Sequence, residues 1–415
     1  MSVAAIETRS RPDLFSILRN RNFALLWGGQ AVSQIGDGLF NIAMMWLVLQ
    51  LTGSALAMGT TVILSQLPRL AFQLIGGVSV DRYDRRALML ISDAIRGIVM
   101  FIFALLVATN QIQLTHIYIL SVIFGIVGAF FLPAMYALVP NLVTKESLVP
   151  ANSLMSLTQQ ASQIIGPALG GVLIAVPAFG IAGVSVLNAL SFGVGVIGVL
   201  MMRLPAHLNG ARQTTGSFWH NLRDGFRYLL QFRALVIIML LAMVLNFAFA
   251  PISVVMPIFV KNIMGIGSEG FGLVMSTFAA GMVIGSLGVG MRAPRSHRGI
   301  IAFLLTTLQG AILAVMGLIP IFVITCALSI AMGISNGIIN TLLGATIQGM
   351  IADEYRGRMM SLNMLIATGL MPIALALAGG LSDAVGPSMV FVAGGVLCVV
   401  TSLVGLTFRE IRELK

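Results

Sequence analysis

The sequence predicts an all-α integral membrane fold, with twelve transmembrane helices in two six-helix halves and both termini cytoplasmic. Three observations carry this. Hydrophobic residues make up 58% of the 415 and charged residues only 9%, and mean hydropathy is +1.00. A soluble chain carries about 25% charged residues, so too few polar side chains exist to cover a water-facing surface. The second observation is a series of apolar runs, each near the roughly 20 residues that a helix needs to cross a bilayer core. The third is the placement of Lys and Arg, which mark cytoplasmic loops.

The runs, in order, are 23–51, 55–79, 87–109, 117–139, 152–176, 181–202, 234–260, 271–289, 299–319, 321–344, 359–381 and 389–408. The thinnest division lies between the ninth and tenth, where Pro320 alone marks the break. With the N-terminus inside, 21 of the 24 Lys and Arg fall on the inner side, Arg69 and Arg96 lie within spans, and only Lys261 is outside. One missed helix would invert every later loop, so this asymmetry supports the span count as well as the orientation. It also explains the net charge of +10 without a nucleic-acid partner. Residues 1–21 are polar and basic and read as having no cleavable signal.

The predicted organisation is a cytoplasmic tail (1–22), a first six-helix half (23–202), a basic cytoplasmic loop (203–233), a second six-helix half (234–408) and a cytoplasmic tail (409–415). Residues 14–18 and 226–230 are candidates for short surface helices. The halves look related. At an offset of 208, Glu146 meets Glu354, Ser153 meets Ser361 and Leu154 meets Leu362. Gly166-Pro167 to Gly171 has a partial echo in Met371-Pro372 to Gly380, as expected of an internal repeat.

A charge at mid-membrane is costly and needs a reason. Of the 14 acidic residues, only Asp37 in the first span and Asp93 in the third fall within spans. Their basic counterparts are Arg69 and Arg96. Asp37 lies roughly 20 Å from the inner end of its span and Arg69 roughly 16 Å, depths close enough for pairing. Asp93 and Arg96, three residues apart, share a helix face. Gln30, Gln34, Asp37 and Asn41 form one polar stripe on the first span. Ser156, Gln159 and Gln163 repeat the pattern on the fifth, and the tenth offers Asn336 and Asn340. Such stripes either line a solute pathway or glue helices together. Both readings stay open at this point.

Cys326 and Cys398 sit singly in apolar runs and the four histidines sit singly near span ends, so neither a disulfide framework nor a metal site is expected. No nucleophile–base pair or phosphate-binding GxxxxGK[ST] loop is found, so an enzyme, a cofactor and direct ATP-driven pumping are not expected.

The segment Gly77-Val78-Ser79-Val80-Asp81-Arg82-Tyr83-Asp84-Arg85-Arg86 resembles the signature loop of the major facilitator superfamily, with Asp84 in place of its second glycine. Asp81 is suited to cap a neighbouring helix N-terminus, and the arginines to anchor at the cytoplasmic face. The resemblance implies that Gly77, Asp81, Arg82, Arg85 and Arg86 form a loop that latches the two halves in one state of a transport cycle. Gly166-Pro167-Ala168-Leu169-Gly170-Gly171 resembles the core of the motif shared by the superfamily's drug antiporters, with Ser162 where an upstream glycine would stand. The fourth span, around 124–129, lacks the buried arginine of many drug–proton antiporters. Gln30-x-x-Ser33-x-x-Gly36-Asp37 with Trp46-Leu47-Val48, together with Ala151-Asn152-Ser153-Leu154 and Arg356-Gly357-Arg358, is similar to the macrolide-efflux and enterobactin-exporter branch.

The resemblance implies a monomeric transporter of the bacterial cytoplasmic membrane that exports a small hydrophobic or amphipathic solute, drug-like, macrolide-like or siderophore-like, by alternating access in exchange for protons. Uptake, lipid movement and a non-transporting receptor or scaffold are the alternatives. Proton coupling needs a group that changes charge. A buried carboxylate near an arginine qualifies, since burial disfavours the charged form and the cation favours it. Asp37 is the first candidate, Asp93 the second, and a purely structural ion pair the third reading.

Overall fold

The computed structural model describes residues 16–144, 147–203, 227, 233–291, 296–350 and 370–414. Among these every element is helical. The helices are α1 (Arg21–Thr52), α2 (Ala55–Arg82), α3 (Arg85–Ala108), α4 (Leu114–Leu142), α5 (Leu148–Ala175) and α6 (Gly180–Met201). Then follow α7 (Arg233–Phe249), α8 (Pro251–Ile258), α9 (Ser268–Met291), α10 (Arg298–Leu318), α11 (Phe322–Met350), α12 (Met371–Val385), α13 (Pro387–Thr407) and the short α14 (Arg409–Arg412). Ten of the described segments are long and apolar enough to cross a membrane, α7 and α8 counting as one. Helix α5 is 28 residues long but carries the polar stripe, and the described part of α12 has 15 residues.

Local chemistry sets the boundaries. Asn20 caps α1 by accepting from the Phe23 amide, and Gly53, at φ 63°, ends it in a left-handed turn that only glycine adopts cheaply. Ser54 then caps α2. Asp84 caps α3 by accepting the Arg86 amide from an extended conformation (φ −60°, ψ 118°). The residue that departs from the signature pattern thus serves as a helix cap. Pro251 stands at the start of α8, where its missing N–H costs nothing. Pro320 lies between α10 and α11, as the sequence predicts. The expected surface helix at 14–18 is instead one 3-10 turn, Ser16–Arg19, with Ile17 buried among α1, α4 and α6 residues. Arg227 apart, the second candidate surface helix lies outside the described residues, as do Lys145, Glu146, Glu354, Ser361 and Leu362 of the aligned repeat.

Helices α1 to α6 pack on one another, chiefly as α1 on α5 and α6, α2 on α4, and α3 on α4 and α6. The later helices form a second group, chiefly α9 on α11 and α10 on α11 and α13. The groups meet mainly through α5 with α9 and α2 with α12. The buried apolar side chains divide unevenly. One cluster crosses both groups at the face where α1 ends and α2 begins, joining Trp46, Met58, Val254, Phe271, Leu375 and Phe391. At the opposite face there are two separate clusters. Phe23, Met89, Leu138 and Val199 belong to the first group alone, and Leu235, Phe303, Ile347 and Ile411 to the second alone. Among the described residues the buried apolar clusters bridge the two groups at one face and stay within each group at the other.

Candidate functional site

Three of the four span charges, Asp37, Asp93 and Arg96, lie around α1, α3 and α6, and Arg69 lies on α2. Asp93 is fully buried and makes an ion pair with Arg96 one turn away on α3. The Arg96 guanidinium lies between two rings, 4.3 Å from the centre of Phe131 and 4.6 Å from that of Phe192, a desolvated cation–π arrangement. Gly195 on α6 makes room for the acid, since a Cβ there would lie 3.0 Å from Asp93 Oδ2.

Asp37 is held differently. It is half-buried, and its Oδ1 accepts a hydrogen bond from Asn188 Nδ2 of α6 at 3.4 Å. Asn188 is fully buried, and its own Oδ1 accepts from Ser191 Oγ at 3.1 Å. Ser33 Oγ, one turn before Asp37 on α1, donates to the Ser191 carbonyl at 3.0 Å. Gly36 permits this closeness, because a Cβ there would overlap Ser191 and Asn188. A polar seam therefore runs along the α1–α6 contact from the surroundings of Asp93 to Asp37. The sequence-based expectation of an Asp37–Arg69 pair is not met. Among the described residues no ion pair joins them, and Arg69 acts on Asp37 at longer range, as does Arg96. Asn188 and Ser191 carry no charge and lie on no long polar stripe, so they do not stand out in the sequence. Two polar residues three apart in an apolar span were the available signal.

The other residues of the polar stripes divide. Gln30 is buried and Gln34 half-buried, while Asn41, Gln159 and Gln163 are exposed at mid-helix. Asn340 Nδ2 donates to Asn336 Oδ1 at 2.7 Å. Asn336 also lines a cavity of about 240 Å³ in the second group. Its walls are Phe249, Ile252, Met275, Phe278, Met332 and Met371, with Asn246, Ser253 and Gln309 as the further polar groups. Apolar walls with a few convergent amides are the usual chemistry of a small-molecule pocket. Among the described residues no group of three or more His, Cys, Asp or Glu comes together to hold a metal.

The α5 motif serves two interfaces. Gly166 meets Gly38 of α1, and Gly170 meets Leu39 of α1. Gly171 instead faces Gly272 of α9, where a Cβ would lie 2.7 Å from the Gly272 Cα. Pro167 sits inside the helix, and its carbonyl also approaches Gly272. In the signature loop, Arg85 donates to the Ala137 carbonyl of α4 at 2.9 Å. Arg86 donates to the carbonyls of Val199 and Leu200 at the end of α6. Arg86 thus satisfies C-terminal carbonyls of α6, and both arginines bind within the first group. The side chains of Asp81 and Arg82, and the surroundings of Gly77, lie outside the described residues.

A family model for transmembrane secretion effectors of the major facilitator type matches residues 13–414. The chain belongs to the major facilitator superfamily. Among its relatives, macrolide efflux protein A of Streptococcus pyogenes is 28% identical, over 94% of this chain and 97% of that protein. The multidrug efflux pump Tap of Mycobacterium tuberculosis is 26% identical, over 96% of each chain. Two solved structures share the fold. A bacterial homologue of the human lysosomal transporter Spinster has a TM-score of 0.71 at 15% identity, covering 95% of this chain and 98% of that one. A bacterial homologue of the iron transporter ferroportin has a TM-score of 0.71 at 16% identity, covering 94% and 99%. The protein is therefore a multi-pass membrane transporter of this superfamily and not an enzyme.

Proposed function

We propose that this superfamily member exports a small hydrophobic or amphipathic solute, macrolide-like or drug-like, by alternating access in exchange for protons, with Asp37 as the coupling group. The observation that carries the reading is the contrast between the two span acids. Asp93 is fully buried and paired with Arg96, whereas Asp37 is half-buried and, among the described residues, hydrogen-bonded to a neutral amide and to no cation. An acid so placed is able to meet water or solute and to take up and release a proton.

Three further features support the proposal. The Met- and Phe-lined cavity suits an apolar solute of variable shape. The apolar seal at one face and the parted clusters at the other match one end-state of an alternating-access cycle. The names of the efflux relatives favour export. In this reading the twelve spans form halves at 23–202 and 234–408 around a central pathway. The termini lie in the cytoplasm of a bacterial cell, the sealed face is the outer one, and the protein acts as a monomer. Gly77, Asp81 and Arg82 would latch the inner face in the alternate state.

The test is solute-induced proton flux in proteoliposomes, with erythromycin as the first probe. Asp37→Asn is expected to abolish proton-driven accumulation while preserving downhill solute exchange. A variant that still builds the wild-type gradient would remove Asp37 from this role.

A further inference from the structure

The bridged face contains a cap that one helix group supplies to the other. Asp383, two residues before the end of α12, is exposed and reaches across to the start of α2. Its Oδ1 accepts the Ala55 amide at 2.8 Å. Its Oδ2 accepts the Leu56 amide at 3.2 Å and the Ser54 hydroxyl at 2.6 Å. Ser54 Oγ in turn accepts the Ala57 amide at 3.2 Å. The first amides of a helix have no carbonyl partner within it. Here three are satisfied, two of them directly by a carboxylate more than 300 residues away in the chain.

The backbones beside this cap are in contact. A Cβ on Gly59 of α2 would lie 2.7 Å from the Leu375 carbonyl oxygen of α12, and one on Gly379 of α12 would lie 2.7 Å from that of Ala55. Leu375 and Ala378 are buried just beneath. On the same face Lys261 reaches over the Trp46 ring at 5.9 Å, a second polar contact between the groups.

We propose that Asp383 is the outer latch of the transport cycle, a reading that rests on alternating access as proposed above. The carboxylate sits at the positive end of the α2 dipole, and its bonds are charge-assisted. They exist only while the two groups meet at this face. Because the site is exposed, water replaces the lost acceptor when the face opens, so the latch biases the equilibrium without freezing it.

The test uses a Cys326→Ser, Cys398→Ser background with Ala378→Cys as a buried reporter, labelled in intact cells by a membrane-impermeant maleimide. Asp383→Ala should raise the labelling rate about fivefold, and Ser54→Ala should raise it less. Glu269→Gln, which changes outer charge without touching the cap, should leave it unchanged. A reporter rate unaltered by Asp383→Ala would overturn the latch. Asp383→Asn, which keeps an acceptor oxygen and removes the charge, covers the case in which Asp383→Ala does not fold and should raise the labelling rate in the same direction. Ser54→Cys with Asp383→Cys, joined by a short reducible cross-linker, tests opening at this face separately. Cross-linking should arrest transport and reduction should restore it. Full transport by the cross-linked protein would overturn alternating access at this face. Arrest combined with unaltered labelling in Asp383→Ala would overturn the latch alone.

Discussion

Asn188 of α6 donates to the carboxylate of Asp37 on α1 at 3.4 Å, and so holds that acid against α6 without an ion-pair partner among the described residues. The amide is held by Ser191, and Ser191 by Ser33, so the position of the acid depends on the α1–α6 contact as a whole. Asp93, by contrast, is paired with Arg96 on the same helix, and this difference is the ground for proposing Asp37 as the coupling acid.

Removing the amide should loosen Asp37 without removing its charge. A hydrogen bond to a charged group contributes about 1.5–3 kcal/mol, and at 3.4 Å this one belongs at the lower end. Asn188→Ala is expected to lower proton-driven accumulation roughly tenfold while downhill exchange persists. Proteoliposome flux measured beside Asp37→Asn checks the order of the two defects.

Breaking the buried pair should cost stability first. Arg96→Ala leaves Asp93 buried with no compensating cation on its own helix, a loss of about 3–5 kcal/mol. The Asp93→Asn, Arg96→Leu double variant should recover much of that, since no unpaired charge remains. Melting temperatures of the purified proteins decide it, and a double variant less stable than Arg96→Ala would contradict the argument.

Helices α9 and α11 fit through reciprocal glycines. A Cβ on Gly281 or Gly285 would overlap backbone of Ile330 or Ile334, and one on Gly333 or Gly337 would overlap backbone of Phe278 or Met282. Such contacts are how helices associate in lipid, where apolar side chains gain little by meeting one another. Gly333→Val should therefore destabilise the second group by about 1–3 kcal/mol, visible as a lower melting temperature. Gly344→Val, in open space on the same helix, should not.

The cavity makes a prediction about solute. Full burial of one aromatic side chain is worth about 1.5–3 kcal/mol. Phe249→Ala should weaken binding of an apolar solute by about tenfold or more, and Asn336→Leu should alter preference among solutes more than overall affinity. Ligand titration of the purified transporter separates the two.

The spans were legible because lipid imposes length and hydropathy directly on the chain, one helix at a time. Helix ends followed from the same local chemistry, as at Gly53, Ser54 and Pro320. The rarity of charge in the membrane singled out Asp37, Asp93, Arg69 and Arg96 before any contact was known. Partnership was not legible in that way. Equal depth suggested Asp37 with Arg69, but depth is one coordinate, and the azimuth of each helix put Asn188 beside Asp37 instead. Gly166 and Gly171 read as one motif, yet helical rotation over five residues turns them toward different neighbours. Asp383 looked like an ordinary loop-end acid, because its meaning depends on a helix start more than 300 residues earlier. The sequence by itself determined the class, the spans and the inventory of costly polar groups, since each is a local transaction with solvent. Which of those groups meet, and which face the apolar cluster bridges, was decided only by the packing of the two helix groups against each other.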